Sequence, residues 1–282
     1  MKIKNFRQIL GGLLLLLLAA TSNLPVNAQA RLGYTPQASI PPQNASSDFD
    51  KLVLAWTEPI EPQASPTPSD NSNSQEPADP DKIIYLTFDD GPDPNWTPQI
   101  LELMQRYHAV GTFFELGRSA ATFPEVVRSL AEGGQTLANH SYTHTDFTTL
   151  DYGGFYNEVA NTNWAIRNAL ASSAGLSSQV TPCLRPPYGA VNSTVYSYMA
   201  QVGYVPAFWT IDTLDWKGIP GDSILNNVKA GLANPNKVVL MHDGGLNREN
   251  TVEGLGLVLH ELTLEGYSFE AFCTESGEIA FR

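Results

Sequence analysis

The sequence predicts an α/β protein built as a distorted, incomplete (β/α) barrel of parallel strands. Three observations carry this. From Asp81 onward, strand-like and helix-like segments alternate, the pattern that builds a parallel sheet. The strand candidates are short continuous apolar runs, suited to burial on both faces. The alternating region holds about 200 residues, whereas a full eight-fold barrel typically takes about 250.

The elements follow in order. Ile83 to Phe88 is an apolar run and reads as the first strand. Thr97-Pro98 supplies an N-cap followed by proline at the first helical position, and Ile100, Leu101, Met104 and Tyr107 keep helical spacing until Gly111 ends the helix. Thr112–Leu116 is the next strand. A helix near Glu125–Ala131, a short strand at Thr136–Asn139 and a long helix within Glu158–Ala171 come next. Val180–Arg185, Val205–Asp212, Val238–His242 and Tyr267–Cys273 complete the strand candidates, with helices between most of them.

Ahead of this region the chain changes character. Residues 1–30 read as an export signal: Lys2, Lys4 and Arg7 precede an apolar run from Ile9 to Ala20, and Ala28-Gln29-Ala30 fits a small-x-small cleavage site. That run falls short of the roughly 20 residues a spanning helix needs, and nothing later is long and apolar enough, so no membrane span is expected in the mature chain. Residues 31–80 hold nine prolines among Ser, Asn and Gln, the composition of an extended linker, interrupted by an apolar segment at 49–56 (Phe49 to Trp56) that could dock on the domain. The domain proper is expected at 81–282. Export places the protein in the periplasm, in the cell wall or outside the cell.

The 282 residues include 16 Lys and Arg against 29 Asp and Glu, a formal charge of −13. That balance argues against nucleic acid, whose phosphates must be neutralised by basic side chains. Two cysteines exclude a disulfide-dense scaffold and a four-cysteine zinc module. Nothing in the sequence reports the oligomeric state.

Residues able to do chemistry fall just after the strand candidates, where a parallel barrel places its site. Asp89-Asp90-Gly91-Pro92 follows the first strand, and two adjacent carboxylates there are costly unless something positive lies beside them. His140 and His144 follow the third strand at a spacing that brings two imidazoles onto one face or one tight turn, as divalent-metal sites require. His242 also follows a strand, whereas His108 and His260 lie on helical patterns. A carboxylate with two neutral imidazoles leaves coordination positions open for water and substrate. Arg185 precedes two prolines that fix its loop, and its guanidinium suits a bidentate pair with a carboxylate. Asp212-Thr-Leu-Asp215-Trp216 and Leu240-Met-His242 end two more strands. No G-x-S-x-G occurs, which disfavours a serine hydrolase.

Together, TFDDGP (Thr87–Pro92), HSYTH (His140–His144), RPPYG (Arg185–Gly189), DTLDW (Asp212–Trp216) and LMH (Leu240–His242) occur in the order seen in the polysaccharide deacetylases. The region from about Lys82 to Phe272 resembles their NodB-like domain, carbohydrate esterase family 4. The resemblance implies hydrolysis of acetyl groups on a polysaccharide or oligosaccharide with one divalent metal ion. Zinc suits the ligands first, with cobalt, nickel or manganese as alternatives.

By the same resemblance Asp90, His140 and His144 are the metal ligands and Asp89 is the general base, oriented by Arg185. His242 is the general acid that protonates the leaving amine, supported by Asp215. Tyr188 would offer its backbone N–H to the oxyanion, and Trp216 and Leu240 would wall the slot for the acetyl methyl group. The expected substrate is N-acetylglucosamine in peptidoglycan or chitooligosaccharide. The alternatives are an O-acetyl esterase acting on acetylxylan and a non-catalytic carbohydrate-binding relative. Glu115 departs from the family pattern and is read as a salt-bridged surface charge, with the substrate groove as the other reading. Cys183 and Cys273 could pair after export or stay as buried free thiols.

Overall fold

The computed structural model describes residues 79–173, 175–274 and 276–279. The export signal, most of the linker and the apolar segment at 49–56 lie outside the described residues. Among the described residues no helix is long and apolar enough to cross a membrane.

The strands are β1 (Ile83–Asp89), β2 (Gly111–Glu115), β3 (Thr136–Asn139), β4 (Val180–Leu184), β5 (Val205–Pro206), β6 (Ile211–Asp212), β7 (Val238–His242) and β8 (Ser268–Phe269). The helices between them are α1 (Thr97–Arg106), α2 (Gly117–Thr122), α3 (Pro124–Glu132), α4 (Tyr152–Leu170), α5 (Ser193–Val202), α6 (Gly221–Gly231) and α7 (Glu249–Leu264). All strand pairs are parallel, in the order β5-β4-β3-β2-β1-β7-β6, with β8 beside the start of β1. The sheet curls but does not close. β5 and β6 are its two edges, and only residues 207–210 carry the chain from one to the other. The expected incomplete barrel is therefore what forms. The single strand expected at Val205–Asp212 is two short ones, because its halves pair with opposite edges of the sheet.

β1 shows why its sequence opens on a continuous apolar run. Ile84, Leu86 and Phe88 face the helices and pack with Ile100, Met104, Phe113 and Val258 in the main core. Tyr85 faces the barrel interior with Phe114, Cys183 and Phe272. Both faces are buried, so the run is apolar on both as far as Leu86, and the strand's alternation turns Thr87 and Asp89 inward with Tyr85. The register sets Asp89 opposite Phe114 of β2 and His242 of β7.

Several expectations change in detail. Trp96, not Thr97, is the N-cap of α1; the Thr97 hydroxyl instead accepts from the Asp93 N–H and donates to Asp243. Gly111 opens β2 rather than ending α1, and the turn between them is made by His108 at φ 51°. Of Tyr267–Cys273 only Ser268–Phe269 pairs with β1. α4 starts six residues before the expected Glu158, where Asp151 caps it through the Gly154 N–H; Gly153 and Gly154 in the first turn hid that start. Cys183 and Cys273 are bonded, tying β4 to the segment after β8 across 90 residues of sequence.

Candidate active site

All the chemistry-bearing loops leave the C-terminal ends of the strands, so they meet at one rim of the sheet. A cleft of about 430 Å³ opens there. Asp89, Asp90, His140, His144, Tyr188, Trp216, Leu240 and His242 line it, and Trp209, Gly189 and Asp212 complete the wall. Arg185 and Asp215 stand behind the wall, each bonded to a residue that lines it. A second hollow of about 400 Å³ lies away from these loops, beside Pro80, Ile83, Glu270 and Glu278, and no histidine lines it.

The backbone twists sharply to present these groups. Asp90, Ser141, His144 and Tyr188 all have positive φ, of 74°, 71°, 66° and 61°. None is glycine, so neighbouring contacts must hold each one in that conformation. For the histidine turn those contacts are visible. Asn139 Oδ1 accepts from the Ser141 N–H and Ser141 Oγ accepts from the His144 N–H, each at 2.9 Å. Glu158 reaches across from α4 and accepts from the N–H groups of Tyr142 and Thr143 and from the Thr143 hydroxyl, all at 2.8 Å.

Asp90, His140 and His144 converge, with one ligand atom from each lying within 4.8 Å of the others. His140 Nδ1 is 2.7 Å from the Arg185 carbonyl. A proton on Nδ1 donates to that carbonyl and leaves the Nε2 lone pair facing the carboxylates. His144 Nε2 lies 3.3 Å from Asp90 Oδ1, and that buried oxygen has no hydrogen-bond partner. Burial, then the neighbouring His140, lowers the His144 pKa, which favours the neutral imidazole a metal needs. An orphaned carboxylate oxygen facing two imidazole nitrogens fits a divalent cation, and these three residues form a candidate metal site.

Two charge pairs, Arg185–Asp89 fully buried and His242–Asp215 partly so, flank this cluster. On one side Arg185 Nη1 donates to Asp89 Oδ1 at 2.7 Å and to Thr87 Oγ1 at 2.9 Å. Its other nitrogens reach the carbonyls of Ala207 and Phe208, and its guanidinium lies 4.0 Å over the Phe114 ring. On the other side Asp215 accepts from His242 Nδ1 and from the His242 backbone N–H, each at 2.8 Å, and from Thr251 Oγ1 at 2.9 Å. Burial opposes charge on His242, but the hydrogen bond and charge of Asp215 outweigh it and raise the His242 pKa. His242 therefore keeps its proton to higher pH than a free imidazole.

Glu115 is not a surface charge. It is fully buried, both its carboxylate oxygens lack partners, and burial followed by the nearby Asp243 pushes its pKa well above the usual carboxylate range. β2 and β7 flank β1, so Glu115 and Asp243 sit on either side of the Asp90-Gly91 turn. A Cβ at Gly91 would stand 2.2 Å from Asp243 Oδ2, so only glycine fits the turn there. Burial also raises the Asp243 pKa, to about 7.

Arg248 is a further charged group the sequence did not point to. It is buried at the start of α7, donates to the Gly244 carbonyl at 2.7 Å and lies 4.0 Å from Asp90 Oδ2. Glu158 and Arg248 sit outside the five motifs and are joined to them only by folding.

Residues 76–207 match the family model for polysaccharide deacetylases. A chitooligosaccharide deacetylase of Rhizobium leguminosarum bv. trifolii is 37% identical over 203 residues, covering 68% of this chain and 90% of that protein. The chain belongs to the polysaccharide deacetylase family. A peptidoglycan-N-acetylglucosamine deacetylase of Bacillus cereus is 33% identical to this family member over 187 residues, covering 66% of this chain and 65% of that relative's length. A crystal structure of a peptidoglycan N-acetylglucosamine deacetylase superposes with a TM-score of 0.61 at 30% identity, over 68% of this chain and 86% of that one. The likeness therefore extends from the motifs to the curled parallel sheet that carries them.

Proposed function

We propose that this polysaccharide deacetylase removes N-acetyl groups from N-acetylglucosamine units of peptidoglycan or of chitooligosaccharide. The observation that carries the reading is the placement of two charge pairs, Asp89–Arg185 and His242–Asp215, around the Asp90, His140 and His144 cluster in one cleft. The substrate follows from the relatives, which are named for those two glycans.

Asp90, His140 and His144 would hold the cation, zinc in first place by the chemistry of two imidazoles and a carboxylate. A bound divalent cation polarises the acetyl carbonyl and lowers the pKa of water. Asp89 takes the proton of the attacking water, and Arg185 fixes the carboxylate for that task. The Tyr188 backbone N–H, from a residue that lines the cleft, is assigned to the developing oxyanion. His242, protonated beside Asp215, gives its proton to the departing amine nitrogen. Trp216 and Leu240 close around the acetyl methyl group. The export signal read in residues 1–30 would deliver the enzyme to cell-wall glycan.

The test is acetate release from purified peptidoglycan, chitooligosaccharide and acetylxylan at matched acetyl concentration, with and without a chelator. Chelator-sensitive release from the first two is expected. A rate on acetylxylan well above both would reassign the enzyme to O-acetyl esters, and no release from any of the three would remove the catalytic reading.

A further inference from the structure

The catalytic cleft measures about 430 Å³, and the proposed substrate is a long chain of sugars. The surface of α4 offers a place for the rest. Tyr152 and Tyr156 are 40% and 50% exposed, and Trp164, two turns further along the helix, is 65% exposed. The Tyr152 ring lies 6.2 Å from Tyr156 and 5.3 Å from Tyr198 of α5, so the tyrosines form one connected aromatic surface. Asn157 and Asn161 are exposed on the same helix. From Tyr152 to Trp164 the only Asp, Glu, His, Lys or Arg is Glu158, and its carboxylate is taken up by the histidine turn.

In a chain of net charge −13, an exposed helical stretch of aromatic rings and amides without a free charge has a specific chemistry. A pyranose presents apolar C–H faces ringed by hydroxyls. Flat aromatic rings match those faces, and phenol and amide groups match the hydroxyls. Only Asp151 and Arg167, one charge of each sign, bound the stretch, so a nucleic acid or a strongly ionic peptide would find no field of a single sign there. The helices that carry this surface also pack, through the core, against the loops of the cleft. Tyr198 packs on a cluster that includes Phe147, three residues after His144, and Val191, three residues after Tyr188. Glu158 joins the same helix to the turn that carries His140 and His144.

We propose that the exposed face of α4 is a glycan platform, on which an uncharged stretch of the substrate strand lies after it leaves the cleft. The proposal rests on the deacetylase reading for the identity of the strand, but its binding test does not need turnover.

Two measurements decide it, both on the full chain. The first compares Tyr152→Ala/Tyr156→Ala with the unsubstituted protein on a long soluble N-acetylglucosamine polymer and on the tetrasaccharide. Loss of two stacking rings is expected to raise KM for the polymer by about tenfold and leave the tetrasaccharide kinetics within about twofold. Tyr152→Phe/Tyr156→Phe keeps the rings and is expected to restore polymer KM, which separates the platform from a folding defect. The second measures co-sedimentation with insoluble polymer in an Asp89→Asn background, where retention is expected and the double alanine variant is expected to lose it. Equal KM changes on both substrates, or unchanged co-sedimentation, would overturn the platform. So would a dimer that the double variant dissociates without any change in polymer KM, since a second copy would then own the face. Absence of acetate release by the unsubstituted protein would instead count against the deacetylase reading, with the co-sedimentation result still deciding the platform.

Discussion

Arg185 and Asp89 form a salt bridge of 2.7 Å between side chains that are 0% and 5% exposed. They lie 96 residues apart in sequence. A guanidinium this deeply buried is tolerable only because Asp89, Thr87 and two backbone carbonyls take up its donors. Burial still lowers the Arg185 pKa, while Asp89 works against that shift. Removing either partner strands the other.

Arg185→Met is therefore expected to cost about 3–5 kcal/mol of stability as well as activity, because it leaves a buried carboxylate without its cation. Asp89→Asn is expected to retain metal and lose turnover. Urea denaturation, metal content and acetate release on both variants check this. An Asp89→Asn protein with near-normal turnover would remove Asp89 from the role of base.

His140→Ala or His144→Ala is expected to abolish metal retention while the fold persists, since one rim of the sheet supplies all three ligands. Glu158→Ala tests positioning rather than ligation. It frees two N–H groups and a hydroxyl of the turn between the histidines, and a supporting group of this kind typically contributes 10–100-fold in metal affinity. Competition titration with a chromophoric chelator measures both effects. Unchanged affinity in Glu158→Ala would mean that Asn139 and Ser141 hold the turn without it.

His242→Ala is expected to slow amide cleavage by about 10²–10⁴-fold and to affect an activated ester far less, whose leaving group needs little protonation. The pH dependence carries a sign. His242 acts protonated, and Asp215 raises its pKa, so activity is present below that value and lost as pH rises through it. Asp215→Asn removes the raising partner and leaves the burial, moving the alkaline limb of kcat/KM to lower pH. A limb that stayed in place would assign it to another group.

Glu115 makes a prediction about stability. Its native pKa is raised, so the folded state holds that proton at pH values where the unfolded chain has released it. The stabilisation is complete below the unfolded value and is lost as pH rises toward the native one. The melting temperature should fall as pH rises above the ordinary carboxylate range, and Glu115→Gln, which cannot ionise, should flatten that fall. Parallel profiles for the two proteins would show that other groups set the slope.

The sequence by itself determined the strand ends and what they carry. β1, β2, β3 and β7 are short apolar runs buried on both faces, a pattern that survives without knowledge of neighbours, and the acids and histidines follow them directly. All ten residues assigned from the motifs line the cleft or bond to a residue that does. What the tertiary structure alone decided depends on partners distant along the chain. The split of Val205–Asp212 follows from pairing with opposite sheet edges. The Cys183–Cys273 bond follows from β4 meeting the segment after β8. The burial of Glu115 follows from its position across the Asp90-Gly91 turn from Asp243. Glu158 and Arg248 carry no local signal, because a carboxylate on a helix and an arginine at a helix start are ordinarily solvated. Only the packing of α4 and α7 against the rim turns them toward the catalytic loops.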